Sequence, residues 1–430
     1  METKDRAYNF QYPNGKSQNG HTHLSRMMNG HAMNYKILDK KLRVLIYSQD
    51  GFGLGHLRRN LNITNQVKKI CPSASVLIVA DSPVAPFFEL PPQCDFIKIP
   101  TIIKINHGEW KPNRLSMNSA ELLPVRSAMI ESAALSFRPD FILVDHMPQG
   151  ALGELDEPIK TIKQHLPKSK LVLGLRDILG APQDIEKQWK KENAYKIAEE
   201  YYDKILVYGS PDMYETPVEY NFSEALLEKV QYCGYVCQGY AKNPLSNRRL
   251  QGLIPPNGTP LILVTGGGGH DASRFMDAFL DAVRQLKNHV PFRAVISTGP
   301  FMTQGQIRTL RQKSNGLPVR VAALGKDAIH FMLRSDLLIS MAGYNTTSEL
   351  MRFRKNAIII PRPGPSAEQT IRSNIFRDRE LAASIHLNDL TADSLANTIA
   401  ERLRSGVSIR EEMLPDLRGA YNAAYSILTT

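Results

Sequence analysis

The sequence predicts a two-domain α/β protein in which each domain is a doubly wound parallel sheet covered by helices. The 430 residues exceed the length of one ordinary domain, for which about 150 residues is a reasonable prior. Short apolar runs typical of buried parallel strands alternate with helical patterns. This alternation begins twice, each time with a Gly-rich turn after the first strand. The sequence therefore predicts two Rossmann-like sheets that face each other across a cleft.

The domain boundaries follow from these runs and from the segments between them. Residues 1–40 are rich in Asn, Gly, His and Met and have no apolar period, which is typical of a mobile leader. Pro, Gly and Asn concentrate near residue 250, as in a linker. We predict a leader at 1–40, a first domain at 41–240, a linker at 241–258, a second domain at 259–408 and a C-terminal helical segment at 409–430.

Composition narrows the class of protein. Apolar residues make up 42% and charged residues 22%, which is typical of a folded globular chain. No window approaches the roughly 20 apolar residues of a membrane-spanning helix, and no secretory signal is evident, so we expect a cytoplasmic protein. The net charge of +11 suits anionic partners. Without an arginine-rich run, a zinc-finger pattern or an RRM signature, nucleic acid is not an expected partner, and the four cysteines form no metal pattern.

The first Gly-rich loop is DGFGLGH, at residues 50–56. Gly53 and Gly55 let backbone N–H groups approach an anion at the start of the following helix. The dinucleotide fingerprint requires glycine where His56 stands, which disfavours a dehydrogenase. His56 has a pKa suited to accepting a proton near neutral pH, and Asp145 and His146 compete for this role at the end of another strand. Each of the three also has a purely structural interpretation as a turn or capping residue.

Three segments of the second domain carry the remaining candidates. Gly266, Gly267 and Gly268 lie in a run of four glycines that favours close approach of the backbone to a ligand. The run SMAGYNTTSE at 340–349 is a strand end, a turn and a helix start, where Gly343, Asn345 and Thr346 suit a diphosphate and Glu349 suits a ribose. Glu368 and Gln369 begin a later helix and can bond sugar hydroxyls. Helix capping is the structural alternative for Asn345, Thr346, Glu349 and Glu368.

Taken in order, GFGLGHLRR, TGGGG, SMAGYNTTSEL and EQTIRSN resemble the motifs of GT-B glycosyltransferases, in particular the MurG-type N-acetylglucosaminyltransferases of peptidoglycan synthesis and their uncharacterised relatives. The resemblance spans about residues 41–405. It implies inverting transfer of a hexosyl or N-acetylhexosaminyl group from a nucleotide-diphosphate sugar, most often a UDP-sugar, to a hydroxyl acceptor. It also implies that neither a metal nor another cofactor is needed.

The resemblance implies a role for each matching residue. Glu349 would hold the donor ribose, Gly343 and Thr346 the diphosphate, and Glu368 and Gln369 the sugar. Backbone groups around Leu324 would lie beside the nucleobase, and Gly53, Gly55 and His56 would face the diphosphate and acceptor. The chain departs from the family pattern at Leu54, where glycine is usual, and in the spacing after Gln369.

Two other functions fit the same fold: a nucleotide-sugar 2-epimerase, which needs no acceptor, and a non-catalytic nucleotide-sugar-binding protein. The acceptor is a glycan, a lipid-linked glycan or a small molecule. The segment at 101–111 mixes apolar and basic side chains, and we expect it to shape the acceptor side or to contact the inner face of a membrane.

Overall fold

The computed structural model describes residues 40–50, 55–106, 109–238, 248–255, 258–269, 271–362, 364, 366–406 and 408–430. The predicted leader up to residue 39, Gly53 and half of the predicted linker lie outside these residues. Within the described ranges, no helix is both long enough and apolar enough to cross a membrane.

The first sheet has seven parallel strands. Its strands are β1 (Arg43–Ser48), β2 (Ser75–Ala80), β3 (Cys94–Lys98), β6 (Phe141–Asp145), β7 (Lys170–Arg176), β8 (Lys204–Tyr208) and β9 (Val230–Tyr232). They are arranged in the order β3-β2-β1-β6-β7-β8-β9. Their near-continuous apolar runs, such as RVLIYS in β1, form strands buried on both faces.

The helices of the first domain cover both faces of this sheet. They are α1 (Gly55–Ile70), α2 (Ser119–Phe137), α3 (Asp156–His165), α4 (Pro182–Lys191), α5 (Ala194–Tyr201), α6 (Thr216–Glu219) and α7 (Glu224–Leu227), and a short α8 (Arg248–Gln251) follows them. Between β3 and α2 the chain forms an antiparallel hairpin, β4 (Ile102–Asn106) with β5 (Glu109–Pro112). This hairpin is the segment expected on the acceptor side. Ile102 is buried in it, whereas Ile105 is exposed.

The second sheet has six parallel strands. They are β10 (Leu261–Thr265), β11 (Arg293–Ser297), β12 (Val319–Ala322), β13 (Leu337–Ser340), β14 (Ala357–Ile359) and β15 (Ala383–Ser384). The strand order is β12-β11-β10-β13-β14-β15. Helices α9 (Ser273–Leu286), α10 (Gln304–Lys313), α11 (Ala328–Arg334), α12 (Tyr344–Arg352), α13 (Glu368–Asp378) and α14 (Ala392–Ser405) pack around it.

The strand order reverses once in each sheet. In the first sheet the reversal separates β1 from β6, and in the second it separates β10 from β13. Ligands of doubly wound sheets bind beyond the carboxyl ends of the strands at such a switch point. Asp145 is the last residue of β6, and the segments that follow β1, β10 and β13 carry His56, Gly266 and Gly343, so both switch points bear candidate site residues.

The last helix, α15 (Gly419–Leu428), returns to the first domain. It packs on α1, and Asn422 donates a hydrogen bond to the carbonyl of Cys233 at 2.7 Å. The backbone N–H of Tyr235 donates to the carbonyl of Asp416 at 2.7 Å. The chain therefore crosses between the two sheets twice, which fixes their relative position.

Candidate active site

The N-terminus of α1 is capped by a carboxylate of its own chain. One carboxylate oxygen of Asp50 accepts the backbone N–H of His56 at 3.0 Å, and the other accepts the N–H of Leu57. Burial and the neighbouring Asp81 raise the pKa of Asp50 to about 8. Because the first free N–H groups of this helix already have an acceptor, its N-terminus offers less to an anion than the sequence suggested. Gly55 is the first residue of α1, and Gly53 lies outside the described residues.

His56 and Asp145 form a hydrogen-bonded pair at the first switch point. The imidazole Nδ1 lies 2.8 Å from Oδ2 of Asp145. Arg59, one turn further along α1, donates from Nη2 to both oxygens of Asp145 at 2.7 and 2.9 Å. Nη2 also lies 2.8 Å from Nδ1 of His56, but the two carboxylate contacts account for its two hydrogens. This geometry favours the tautomer in which Nδ1–H donates to Asp145 and Nε2 carries the free lone pair.

The electrostatics keep this histidine neutral. Burial lowers the pKa of His56 below its usual 6.5, and Asp145 only partly offsets that effect. Burial opposes ionisation of Asp145 as well, but the charges of Arg59 and His56 outweigh it and hold the pKa of Asp145 well below its usual range. The pair is therefore an ionised carboxylate beside a neutral imidazole near pH 7, as a general base requires.

His146 lies beside His56 and has an unusual backbone conformation. Its φ angle is 79°, in the left-handed region that non-glycine residues rarely adopt. The two imidazole centroids are 5.1 Å apart. Among the described residues, the buried Nδ1 of His146 has no hydrogen-bond partner. Burial and the nearby Arg176 hold the pKa of His146 well below 6.5. His146 is thus a second neutral imidazole at the end of β6.

Among the described residues, no side chain caps the N-terminus of α12. Gly343 is the N-cap residue, with φ −71° and ψ 143°, and no acidic residue lies in the first turn of the helix. A side chain added at Gly343 would meet no atom of the described residues within 4 Å. The alternative interpretation of Asn345 and Thr346 as helix caps is wrong, because Gly343 is the N-cap residue and the Asn345 side chain donates to the carbonyl of Gly55 in the other domain. Thr346 is partly buried in the same turn.

Glu349 lies in the second turn of α12, so it is not a capping-box residue. Glu349 is 9% exposed. Burial raises the pKa of its carboxyl, and Arg58 of α1 is the cation that opposes this shift. A buried carboxylate is costly unless a partner binds it. This side chain is consequently suited to accepting hydroxyl hydrogens.

The four-glycine run after β10 owes its composition partly to packing. A Cβ at Gly266 would lie 2.2 Å from the Cβ of Ala272, and one at Gly269 would lie 2.9 Å from the backbone of Gly299. Gly267 has φ 61° and an open space at its Cβ position. A Cβ at Gly268 would lie 3.3 Å from the ring of Phe301. The close approach in this loop is therefore largely between parts of the protein, and Gly267 is the glycine of this run that has open space among the described residues.

Contacts within the protein hold the residues that were expected near the donor sugar and the nucleobase, namely Glu368, Gln369 and Leu324. Both carboxylate oxygens of Glu368 are paired, Oε2 with Arg176 at 2.6 Å and Oε1 with Arg372 at 2.8 Å. Burial opposes its ionisation, yet these two arginines lower the pKa of Glu368 to about 2. The side-chain oxygen of Gln369 accepts the N–H of Arg362 at 3.2 Å, which leaves its amide hydrogens available. Leu324 is buried and precedes a single 3-10 turn, Gly325–Asp327.

Arg372 links these elements across the domain boundary. Besides Glu368, it donates to Asp177 of the first domain at 2.7 Å and to the carbonyl of Ala342, just before α12, at 3.0 Å. The residue is 1% exposed. Sequence reasoning missed Arg59, Arg372 and the pairing of Arg176 with Glu368. The one available signal was the i, i+4 spacing of Glu368 and Arg372.

The two helix N-termini face each other directly. The side-chain amide of Asn345 in α12 donates to the carbonyl of Gly55 in α1 at 3.1 Å. This contact brings the His56–Asp145 pair of the first domain opposite the uncapped helix end of the second. The arrangement places a carboxylate–imidazole pair in one domain beside a helix N-terminus of the other.

Comparison with known proteins agrees with this geometry. Residues 261–424 match the model of the glycosyltransferase family 28 C-terminal domain. The match begins at β10 and runs into α15, so it includes the free N-terminus of α12 together with Glu349, Glu368 and Gln369.

Curated relatives are N-acetylglucosamine transferases. The chain is 28% identical over 213 residues to UDP-N-acetylglucosamine--N-acetylmuramyl-(pentapeptide) pyrophosphoryl-undecaprenol N-acetylglucosamine transferase 1 of Bacillus cereus. This alignment covers 48% of this chain and 54% of the relative. The corresponding transferase 2 of Bacillus thuringiensis is 27% identical over 176 residues, 40% of this chain and 47% of the relative. The chain thus spans about half the length of the curated relatives it matches.

Solved structures establish the fold over nearly the whole chain. The MurG structure from Acinetobacter baumannii superposes with a TM-score of 0.55 at 14% identity and covers 91% of this chain and 100% of that one. The UDP-GlcNAc 2-epimerase of Methanocaldococcus jannaschii superposes with a TM-score of 0.58 at 11% identity, covering 91% and 100%. The chain has the GT-B fold, as the sequence motifs predicted. Transferases and epimerases share it, so the fold alone does not separate these two activities.

Proposed function

We propose that this chain is a glycosyltransferase that moves a hexosyl or N-acetylhexosaminyl group from a nucleotide-diphosphate sugar, foremost a UDP-sugar, to a hydroxyl acceptor. The observation that carries the proposal is the pairing of the two helix ends, with the His56–Asp145 pair opposite the uncapped N-terminus at Gly343. The family of the second domain and the relatives that use UDP-N-acetylglucosamine support the donor class.

In this proposal the second domain binds the donor. Free N–H groups at Gly343 and Thr346, together with the positive end of the α12 dipole, would hold the diphosphate. Glu349 would accept the ribose hydroxyls, which compensates the cost of its burial. Gln369 would donate its amide hydrogens to the sugar. Glu368 would orient that helix through its two arginines, and its remaining lone pairs would accept sugar hydroxyls.

Transfer would then be a single displacement with inversion. Nε2 of His56 takes the proton of the acceptor hydroxyl as its oxygen forms a bond to the anomeric carbon. The bond from that carbon to the diphosphate breaks, and the electron pair leaves with the nucleotide. The helix N-terminus at Gly343 stabilises the growing negative charge, and Asp145 stabilises the imidazolium. No metal takes part in this scheme.

The acceptor side is proposed on the first domain. Ile105 of the β4–β5 hairpin is 51% exposed and Leu115, just after the hairpin, is 50% exposed. Two apolar side chains that project near a cleft favour an acceptor with an apolar portion, such as a lipid-linked glycan at a membrane surface.

A nucleotide screen tests the donor site. We expect UDP or a UDP-sugar to raise the melting temperature of the wild type, since a ligand that binds only the folded state stabilises it. Glu349→Gln, which keeps the shape but weakens acceptance of two hydroxyl hydrogens, should lose most of this rise. Glu401→Gln, an exposed glutamate on α14, is the matched control and should keep it. Stabilisation by no nucleotide would contradict the proposal.

Product analysis separates the transferase from the epimerase. Incubation of UDP-N-acetylglucosamine without acceptor should return the donor unchanged apart from slow hydrolysis. Appearance of the 2-epimer would establish the alternative activity instead.

A further inference from the structure

The N-terminus of α12 makes a second contact with α1 that the proposed mechanism does not use. Tyr344, the first residue of α12, has its ring 5.4 Å from the guanidinium carbon of Arg59. Arg59 lies one helical turn after Gly55, the residue that accepts from Asn345. Neighbouring residues of α12 therefore touch two positions on the same face of α1.

Arg59 is the residue that orients the carboxylate of the base pair. It is 1% exposed, and it donates to both oxygens of Asp145. Its guanidinium carbon also lies 5.1 Å from the ring of Tyr208. A buried guanidinium is attracted to the faces of aromatic rings within about 6 Å. The position of Arg59, and through it that of Asp145 and His56, thus depends on two rings, of which one belongs to the other domain.

The ring of Tyr344 is itself firmly held. Its hydroxyl accepts the backbone N–H of Val236 at 2.9 Å, and the ring stacks on Tyr235 with centroids 5.8 Å apart. The guanidinium carbon of Arg372 lies 5.7 Å from it on the second-domain side. The residue is 5% exposed. It has no direct path to bulk solvent and no place in the chemistry proposed above.

We propose that Tyr344 is a positioning residue that sets the register between the donor-binding helix of the second domain and the Arg59–Asp145–His56 array of the first. This inference rests on the proposed function. The aromatic face of Tyr344, rather than its hydroxyl, fixes Arg59 and so orients Nε2 of His56 toward the place where the acceptor attacks. A displacement of about 1 Å at a reacting group can cost about a hundredfold in rate.

Two substitutions at Tyr344 distinguish the face from the hydroxyl. Tyr344→Met keeps an apolar side chain of similar reach but removes the ring, whereas Tyr344→Phe keeps the ring and removes only the acceptor for Val236. We expect Met to lower kcat by about 10- to 100-fold and to leave the Kd for UDP within a few-fold of wild type, since the substitution leaves the backbone N–H groups of α12 in place and changes only a side chain that is buried between the domains. Phe should retain most of kcat. Tyr425→Leu, which replaces an exposed ring on α15, should change neither quantity.

A second readout does not depend on turnover. Among the described residues, the titratable groups that face His56 are Asp145, Arg59, Arg176 and His146. Loss of the Tyr344 ring loosens Arg59 and admits water to the contact between the domains, so the pKa of His56 should rise toward 6.5 in Tyr344→Met and stay low in Tyr344→Phe. Titration of 13C-labelled histidine by NMR measures this, with His56→Gln to assign the signal.

The kcat values and the His56 pKa of the Tyr344 variants together decide whether the ring positions Arg59. A folded Met variant with unchanged kcat and an unchanged His56 pKa would overturn it, as would a Phe variant that loses as much activity as Met. If the Met variant does not fold, Asn345→Ala opens the adjacent contact and should give the same fall in kcat and the same rise of the His56 pKa. A wild type that turns over no donor would refute the proposed function alone, because the histidine titration still tests the positioning role.

Discussion

Substitution of Glu368 by glutamine measures how strongly the two domains are joined beside the site. Each carboxylate oxygen of Glu368 pairs with a different arginine, Arg176 from the first domain and Arg372 from its own helix. A glutamine has only one acceptor oxygen, so its NH2 group must face one guanidinium. We therefore expect a large loss of stability with little change in the shape of the side chain.

The magnitude follows from the pKa of Glu368. Its value is lowered from 4.5 to about 2 by the arginines, against the effect of burial. At 1.36 kcal/mol per pKa unit, this corresponds to about 3 kcal/mol at pH 7. That figure agrees with the lower end of the about 3–5 kcal/mol expected when a buried pair loses one partner. The melting temperature of a domain of this size should fall by about 6–12 °C.

The pH dependence of the effect provides a second check. Because the folded pKa lies below the unfolded value, the stabilisation is fully present above pH 4.5 and is lost as the pH falls through the folded pKa near 2. The difference between wild type and Glu368→Gln should therefore shrink to about 1.5 kcal/mol at pH 3.

Thermal unfolding followed by circular dichroism at pH 7 and at lower pH measures both effects. Glu157→Gln removes the exposed pair with Lys160, in which the glutamate side chain is 74% exposed, and should change stability by less than about 1 kcal/mol. If Glu368→Gln shifts the melting temperature no more than this control, the ionic network does not join the domains as described.

Three further predictions concern the proposed base, the first loop and the donor site. The acid limb of the pH profile of kcat/KM should have its midpoint below pH 6.5. Asp145→Asn should move this midpoint lower still and reduce kcat, because the Asp145 charge raises the pKa of His56. Steady-state kinetics from pH 5 to 9 test this, and a midpoint that rises in the variant would be inconsistent with it. Asp50→Ala should lower the free energy of unfolding by about 1–2 kcal/mol, because two N–H groups at the start of α1 lose their acceptor, and it should also reduce turnover. Asn118→Ala, which removes the capping box of α2, should lower the free energy of unfolding about as much in urea titrations but leave turnover unchanged. His56→Ala should lower kcat by about 10²–10⁴-fold while the Kd for UDP measured by calorimetry stays near the wild-type value; a parallel loss of affinity would assign His56 to donor binding instead.

The sequence predicted the architecture because its signals are local. Continuous apolar runs such as LILVT at 261–265 are typical of buried parallel strands between helices, and the Gly-rich turns mark where each sheet begins. Asp145, His146 and Gly343 could be placed at strand ends for the same reason. The ordered motifs then added the GT-B fold, which the structural comparisons confirm.

The long-range contacts that assemble the site could not be predicted from the sequence. Arg59 joins Asp145 from 86 positions away, and Arg372 joins Asp177 from 195 positions away. No periodicity connects residues at such separations. A residue type that suits a ligand also suits a contact within the protein. Asn345 donates to the carbonyl of Gly55, and Gly269 packs against Gly299, so neither residue type alone identified a ligand contact.

The central claim is that His56 activates an acceptor for transfer from a nucleotide sugar bound by the second domain. The most direct measurement is release of UDP from UDP-N-acetylglucosamine and UDP-glucose in the presence of a hydroxyl acceptor such as octyl glucoside, compared between wild type and His56→Ala, with the anomeric configuration of the product determined by NMR. We predict UDP release with an inverted product in the wild type and a loss of about 100-fold or more in the variant. Equal release by both proteins, or a product that retains the donor configuration, would contradict the account.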